Sequence, residues 1–474
     1  MEQRIPFEVM SAQRPYDVIR DKNDDPPAQE QRKRLPGDER RMLMALACLA
    51  PLALLGFALS AALSSEPTAG IVRSENIGPV VLTHAVIRTS SGEWAVVSAG
   101  EVDEAAARGA FSDATRHDSA FGELHIQTSP TPAGSYSDSE RAFAAGILEG
   151  FLTHERIKQT ARNLMCEIDC SGKVPMEIQE WMERQDDWAA EMVRQQGDAD
   201  VFWAHVGYLR DQFEGLMAGS EIAATLRRQD SHAGSDPELE ALAAEPVTLW
   251  DVQLINALGD LFDIKPAVLH SRRQDFAKMQ PTEASSLLQR MGHCTALIKV
   301  TDDLSDLLMG HSSWFHYANM NRIFKHYSLD FEGTAAANMS FSSYPGMLSS
   351  LDDFYLMQDT ALAVTQTTNG IYNTSLYDEV LPESLLAWQR VRTANYLARS
   401  GEEWASLVAR ENSGTCAYPA PAPLRLSLPS LPHSSSLILS RCVCLSFQIT
   451  ISTWSWTSDA SPQEKPSRRV RSGS

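Results

Sequence analysis

The chain has 474 residues, of which 43% are hydrophobic, 8% aromatic and 22% charged, with a formal net charge of -20. This apolar share suffices for a sizeable core, as one large α/β body or two or three domains. The acidic balance argues against a nucleic-acid partner, which needs a basic face. Seven cysteines are too few for a disulfide scaffold at this length.

Residues 1–41 are polar, carry charges of both signs and include Pro26, Pro27 and Pro36, the composition of a disordered segment. From Met42 to Ala62 the chain is almost purely apolar, long enough for a bilayer core of roughly 30 Å. Arg32-Lys33-Arg34 and Arg40-Arg41 precede it, so the positive-inside rule puts residues 1–41 on the cytoplasmic side and the remainder in the lumen or outside. Segment 42–63 is therefore expected to be a membrane-spanning signal anchor, or a signal peptide cut near its Ala-Leu-Ser-Ser end. On the translocated side, Asn338-Met339-Ser340 and Asn373-Thr374-Ser375 become glycosylation sequons.

Residues 79–99 predict a hairpin turning at Ser90-Ser91-Gly92, and Phe121 to Thr128 a further strand. Ser137 and Glu140 stand at capping-box spacing and open a helix rich in small residues, including Gly146 and Gly150. Cys166 and Cys170 are the only close cysteine pair in the body of the chain. Glu-Ile-Asp between them and Ser-Gly after them predict a turn, which leaves a local disulfide open. A helix entering at Pro175 carries Ile178, Trp181, Met182, Trp188 and Met192 on one stripe, and another from about Asp198 carries Phe202, Val206, Leu209, Phe213 and Leu216. Both stripes read as core. Residues 226–246 have the composition of a linker, Leu249 to Phe262 is apolar without a clear period, and 265–290 is a polar connection.

Cys294 then heads an alternating run, Thr295 to Val300, followed by the polar turn Thr301 to Asp306 and a second apolar run ending at His311-Ser312-Ser313-Trp314. Two strands joined by a tight turn bring His311 and Trp314 back beside Cys294. The residues alone leave two readings open, a small buried core thiol and a nucleophile. Beyond the hairpin, Tyr317 to Tyr327 predicts a helix, Phe341 to Gly346 a turn, Asp353 to Thr368 two strands, and Ser384 to Arg399 and Glu402 to Ala409 two helices. Strands and helices in this order predict a layered α+β body. No metal or nucleotide motif accompanies them. His311, His316 and His326 lack zinc-protease spacing, the acidic run at Asp302 lacks the glycine and glutamate of a calcium loop, and there is no Gly-rich phosphate loop or Gly-x-Ser-x-Gly elbow.

Several stretches together resemble the phospholipase B-like family. These are Gly292-His293-Cys294-Thr295-Ala296-Leu297-Ile298-Lys299, His311-Ser312-Ser313-Trp314, Phe341-Ser342-Ser343-Tyr344-Pro345-Gly346 and Asp352-Asp353-Phe354-Tyr355. Tyr136-Ser137-Asp138-Ser139 upstream, and Ala394-Asn395, Ser400 to Ala405 and Asn412-Ser413-Gly414-Thr415 downstream, extend the match to about residues 78–415. The resemblance implies an N-terminal nucleophile hydrolase with a four-layer αββα sandwich that cuts itself between His293 and Cys294. It divides the domain into 78–293 and 294–415, makes Cys294 the nucleophile, and places His311, Trp314 and Thr368 around the pocket. It implies an acyl ester of a phospholipid as substrate, no cofactor, and a lysosomal or extracellular setting. The fold suits amide hydrolysis equally, and a non-catalytic glycoprotein with a binding role is the rival from another class.

Two departures from the family pattern stand out. Gln366 replaces a glutamate before Thr367-Thr368, and after Thr415 the family's Tyr-Asn-Asn-Gln gives way to Cys416-Ala417-Tyr418-Pro419 and a Pro-, Ser- and Leu-rich tail, 416–474, including Cys442 and Cys444. The tail is expected to be low in complexity and foreign to the fold, as from a retained intron or shifted frame, leaving the sandwich incomplete at its C-terminal side.

Overall fold

The computed structural model describes residues 80–113, 121–129, 136–169, 174–229, 237–291, 294–302, 307–368, 371 and 373–415, with short strands at 422–426, 437–441 and 447–450. All lie in the compact unit Pro79–Ser474. The expected disordered segment 1–41, the apolar segment 42–63 and most of the tail fall outside the described residues. Among the described residues no helix is long and apolar enough to cross a membrane.

The described residues begin with a hairpin, β1 (His84–Arg88) and β2 (Trp94–Ser98), closed where predicted by Gly92 at φ 85°. Next come β3 (Ala107–Ser112) and β4 (Gly122–Thr128). Helix α1 (Asp138–Leu152) starts at the predicted capping box, with both the Ser137 and Glu140 side-chain bonds present. α2 (His154–Asp169), α3 (Met176–Gln196) and α4 (Val201–Gln229) follow. Shorter helices α5 (Pro237–Ala243), α6 (Leu249–Asn256), α7 (Leu261–Val268) and α8 (Pro281–Met291) lead to the hairpin of β5 (Thr295–Val300) and β6 (Leu307–Ser312). The domain continues through β7 (Ile323–Ser328), β8 (Asn338–Ser343), β9 (Phe354–Met357), β10 (Leu362–Thr365), α9 (Ala387–Leu397) and α10 (Gly401–Val408). Strands β11 (Ala422–Leu426), β12 (Leu437–Arg441) and β13 (Phe447–Thr450) come last.

The fold is α+β, built on one mixed nine-stranded sheet in the order β13-β10-β9-β8-β7-β4-β3-β1-β2. β4 and β7 pair in parallel and every other neighbouring pair is antiparallel. All eight helices from α1 to α8 and the β5–β6 ribbon are inserted between those two parallel strands. Of the four layers expected, the described residues supply this one large sheet with helices against it. The remaining strands form only two two-stranded ribbons, β5–β6 and β11–β12.

Helix α1 lies against the sheet, and Ala142, Ala145 and Leu148 join Leu124, Ile126, Tyr327 and Phe341 in the main core. α4 crosses α1 with backbone on backbone: a Cβ added at Gly146 would stand 2.0 Å from the Gln212 carbonyl oxygen, and one at Gly219 2.1 Å from that of Ile147. Between helix and sheet, fully buried Glu149 accepts a bond from Lys325 Nζ at 2.6 Å and another from the Tyr327 hydroxyl. Burial penalises both charges, and the pair persists because each supplies the other's partner.

Several expectations are corrected. Tyr317 to Tyr327 is a 3-10 turn, Tyr317–Asn319, followed by strand β7, because Lys325 is a buried strand residue paired with Glu149 rather than a solvated helix residue. The turn expected around Cys166 is the last part of α2, which runs to Asp169; Cys170 lies outside the described residues. The linker expected at 226–246 holds the end of α4 and helix α5. The connection at 265–290 is largely helical, and β3 was not anticipated. In the tail, β13 pairs with β10 at the edge of the sheet.

Candidate active site

Antiparallel pairing of β5 with β6 sets Thr295 opposite Ser312 and Ala296 opposite His311. Cys294, one residue before the ribbon, therefore meets Ser313 and Trp314, just after it. The thiol is partly buried and unbridged. Its backbone is left-handed, φ 75°, a conformation uncommon for a residue with a Cβ. Burial first, and then the Asp353 and Asp352 carboxyls, push the thiol up to about 11, while the Trp314 main-chain N–H pulls the other way by donating to it. The Ser313 hydroxyl favours the anions of Cys294 and Tyr344, yet meets full hydrogen-bond geometry with neither.

His311 is half-buried on β6, where its Nε2–H donates to the Gln366 carbonyl at 2.7 Å. Burial holds the imidazole below its ordinary range, so it is neutral with Nδ1 free to accept. Trp314 is 53% exposed, and it is its main chain, rather than its indole, that reaches the thiol. Thr368 lines the same cavity of about 50 Å³ as Cys294, with Asp353, Gln366, Asp260 and Trp388. The structure thus brings Cys294, Trp314 and Thr368 to one place, with His311 held beside it through Gln366. His293 lies outside the described residues.

Four side chains to which the sequence assigns no role complete the surroundings. Asp352 accepts from the Tyr344 hydroxyl at 2.6 Å and from the Arg322 guanidinium. Its neighbour Asp353, left-handed at φ 50° and also at the cavity wall, is driven well above the ordinary carboxylate range by burial and then by Asp352. Asp260 accepts from the Ala387 N–H at the start of α9 and from the Thr415 hydroxyl. Asn256 of α6 pins the loop under the cavity, donating to the Gly346 carbonyl and accepting from the Leu348 N–H. The sequence signal for Asp352-Asp353 is the Asp352-Asp353-Phe354-Tyr355 motif, which carries the family resemblance but by itself assigns neither carboxyl a role.

Both sequons are exposed at their asparagines. Asn338 heads β8 with its amide on Asp359, and Asn373 caps the 3-10 turn Thr374–Glu379.

Residues 107–418 match the family model described as Phospholipase B. Phospholipase B-like 1 of Rattus norvegicus is 40% identical over 279 residues, covering 58% of this chain and 46% of that protein. Phospholipase B of Crotalus adamanteus is 39% identical over 280 residues, 58% of this chain and 47% of the other. Phospholipase B-like protein D of Dictyostelium discoideum is 33% identical over 290 residues, 59% and 47% respectively. The chain spans about half the length of the curated relatives it matches.

Proposed function

The chain belongs to the phospholipase B family, and from that premise we propose that it is a self-processing acyl hydrolase, with the Cys294 thiol as nucleophile and phospholipid acyl esters as substrate. The observation that carries the reading is the position of Cys294: left-handed at the head of a strand, lining the same cavity as Thr368, with a main-chain N–H donating to its thiol.

Processing comes first. The thiol adds to the His293 carbonyl, its proton passes to the Cys294 nitrogen, and the His293–Cys294 peptide becomes a thioester. Water then splits the thioester, leaving a carboxylate on His293 and a free amine and thiol on Cys294. A left-handed residue stores roughly 1–3 kcal/mol, which is released when the peptide bond that fixes its φ is cut. The new α-amine has a pKa of roughly 7.7–8.0, so it serves as the base for its own thiol near neutral pH. The thiol, its proton taken by the amine, attacks the ester carbonyl while the Trp314 N–H is placed to stabilise developing negative charge. The C–O bond breaks, the alcohol leaves with the proton from the amine, and water then splits the acyl thioester to release the fatty acid and restore the thiol. A cavity of about 50 Å³ holds a water or two rather than an acyl chain, so the intact chain reads as the unprocessed form. The reading places this chemistry on the luminal or extracellular side, with segment 42–63 as the anchor or leader.

Purified full-length protein tests this directly by N-terminal sequencing of its fragments and by fatty-acid release from phosphatidylcholine. The expected result is a second fragment beginning at Cys294, abolished in Cys294→Ala, with hydrolysis tracking the cut. A folded wild-type chain that stays whole and releases no fatty acid overturns the proposal in favour of a non-catalytic role. Cleavage without ester hydrolysis, but with turnover of an N-acyl amide, would move the substrate class.

A further inference from the structure

On the sheet, away from Cys294, three potential ligands converge. Glu123 and His125 are two apart on β4 and so share a face, and the parallel register with β7 sets His326 beside His125. The imidazole rings stack at 4.4 Å and 8°. Glu123 Oε1 lies 3.1 Å from His125 Nε2 and 3.5 Å from His326 Nε2. Within 4.8 Å of one another, the three donor atoms form the only such group of three or more among the described residues.

We infer that Glu123, His125 and His326 form a zinc site with its fourth position open to solvent. Two imidazoles and one carboxylate are a common zinc ligand set, and metal–ligand bonds of about 2.0–2.1 Å set tetrahedral ligand separations of roughly 3.3 Å. The two N···O distances bracket that value. A second shell is already in place: His326 Nδ1 sits 2.9 Å from Ser340 Oγ, which in turn accepts from Gln358 Nε2 at 2.7 Å. With Nδ1–H donating to Ser340, Nε2 is the deprotonated nitrogen that a metal takes, the arrangement by which outer partners orient metal-bound histidines. The ligand side chains are a fifth to a third exposed, and His125 and His326 line a groove of about 310 Å³ together with Gln127, Ser328 and Asn338. An ion therefore has a path in and room for a water or small anion as fourth ligand. Loading requires the rings to open from their stack by rotation about χ2, a broad torsion in histidine. Because β4 and β7 come from opposite ends of a long insertion, the site has no spacing signature, and the sequence alone gives no expectation of a metal here.

The test uses the full chain stripped of metal, titrated with zinc against a chromogenic chelator and with cobalt(II) followed in the visible spectrum. One equivalent should bind, with cobalt ligand-field bands and no thiolate charge-transfer band. His326→Ala should remove the site, and Ser340→Ala should weaken it by about 10–100-fold. Glu123→Gln keeps the local hydrogen bonding and serves where the histidine variant does not fold; it too should abolish the cobalt bands. Zinc uptake that is absent in the wild type, that persists unchanged in both ligand variants, or that carries a thiolate band overturns the assignment.

Discussion

At the scale of the residue, the left-handed cysteine makes the strongest chemical statement. In the intact chain its thiol is pushed up to about 11, by burial before anything else and then by Asp353 and Asp352. At pH 8 about one thiol in a thousand is then ionised, against about a quarter for a free cysteine of pKa about 8.5. Alkylation of Cys294 by iodoacetamide in the uncut chain should accordingly run about 200-fold slower than in a model peptide and rise about tenfold per pH unit up to pH 10. Peptide mass spectrometry of the Cys294 peptide from the unprocessed fraction measures this. Asp353→Asn should speed the reaction severalfold and no further, since burial remains. A rate at pH 8 equal to that of the free peptide would show that the thiol is already activated before any cut. The His311 contact carries a related lesson. It is made to the Gln366 carbonyl, so the exchange of a glutamate for Gln366 leaves that bond untouched.

At the scale of the element, the crossing of α1 and α4 offers a sharp mechanical test. Gly146→Ala places a Cβ 2.0 Å from the Gln212 carbonyl oxygen, and backbone cannot swing aside as a flexible side chain does. The helices must part, at a cost of about 3 kcal/mol or more. Gly100→Ala meets nothing within 4 Å and should stay within about 0.5 kcal/mol of the parent. Urea melts of the two variants check the contrast, and equal midpoints would refute the close crossing. The same elements show what the sequence made legible. Period and capping placed α1, α3, α4 and both hairpins, because each signal is local: Ser137 with Glu140, a stripe of aromatics, alternation about a turn. The neighbourhood of His311, Trp314 and Cys294 was readable for the same reason, since a tight hairpin alone brings them together. What failed was non-local. The sequence of β7 does not show its strand, because what buries Lys325 in the sheet is Glu149, 176 positions earlier. Asp353, Asp260 and the Trp314 main-chain N–H owe their roles to burial and to neighbours that no spacing encodes. Asn395 of the quoted Ala394-Asn395 motif makes sense only in three dimensions, where its side-chain oxygen accepts from the Trp404 indole at 2.7 Å and ties α9 to α10.

For the whole molecule, the response to acid is a contest between buried groups of opposite tendency. Burial lowers His154, His205 and His326, so the unfolded chain takes up their protons first, and the stability they carry above pH 6.5 is lost as the pH falls. Asp211 on α4 does the reverse. Burial, with repulsion from Glu214 and partial relief from a Ser139 bond, raises it from 3.8 to about 6. With the folded value above the unfolded one, its contribution is fully present below pH 3.8 and lost as the pH rises through 6. At neutral pH the fold thus carries a half-buried carboxylate that costs about 1–3 kcal/mol. Asp211→Asn keeps the shape and a partner for Ser139 while removing that charge. The variant should be more stable than the parent by about 1–3 kcal/mol at pH 7.5, lose most of the advantage by pH 4, and so fall more steeply on acidification, with the histidines unopposed. Denaturant melts at pH 7.5, 5.5 and 4 read the difference. A gain of the same size at all three would mean that the asparagine acts by packing, and that the aspartate does not titrate in this range.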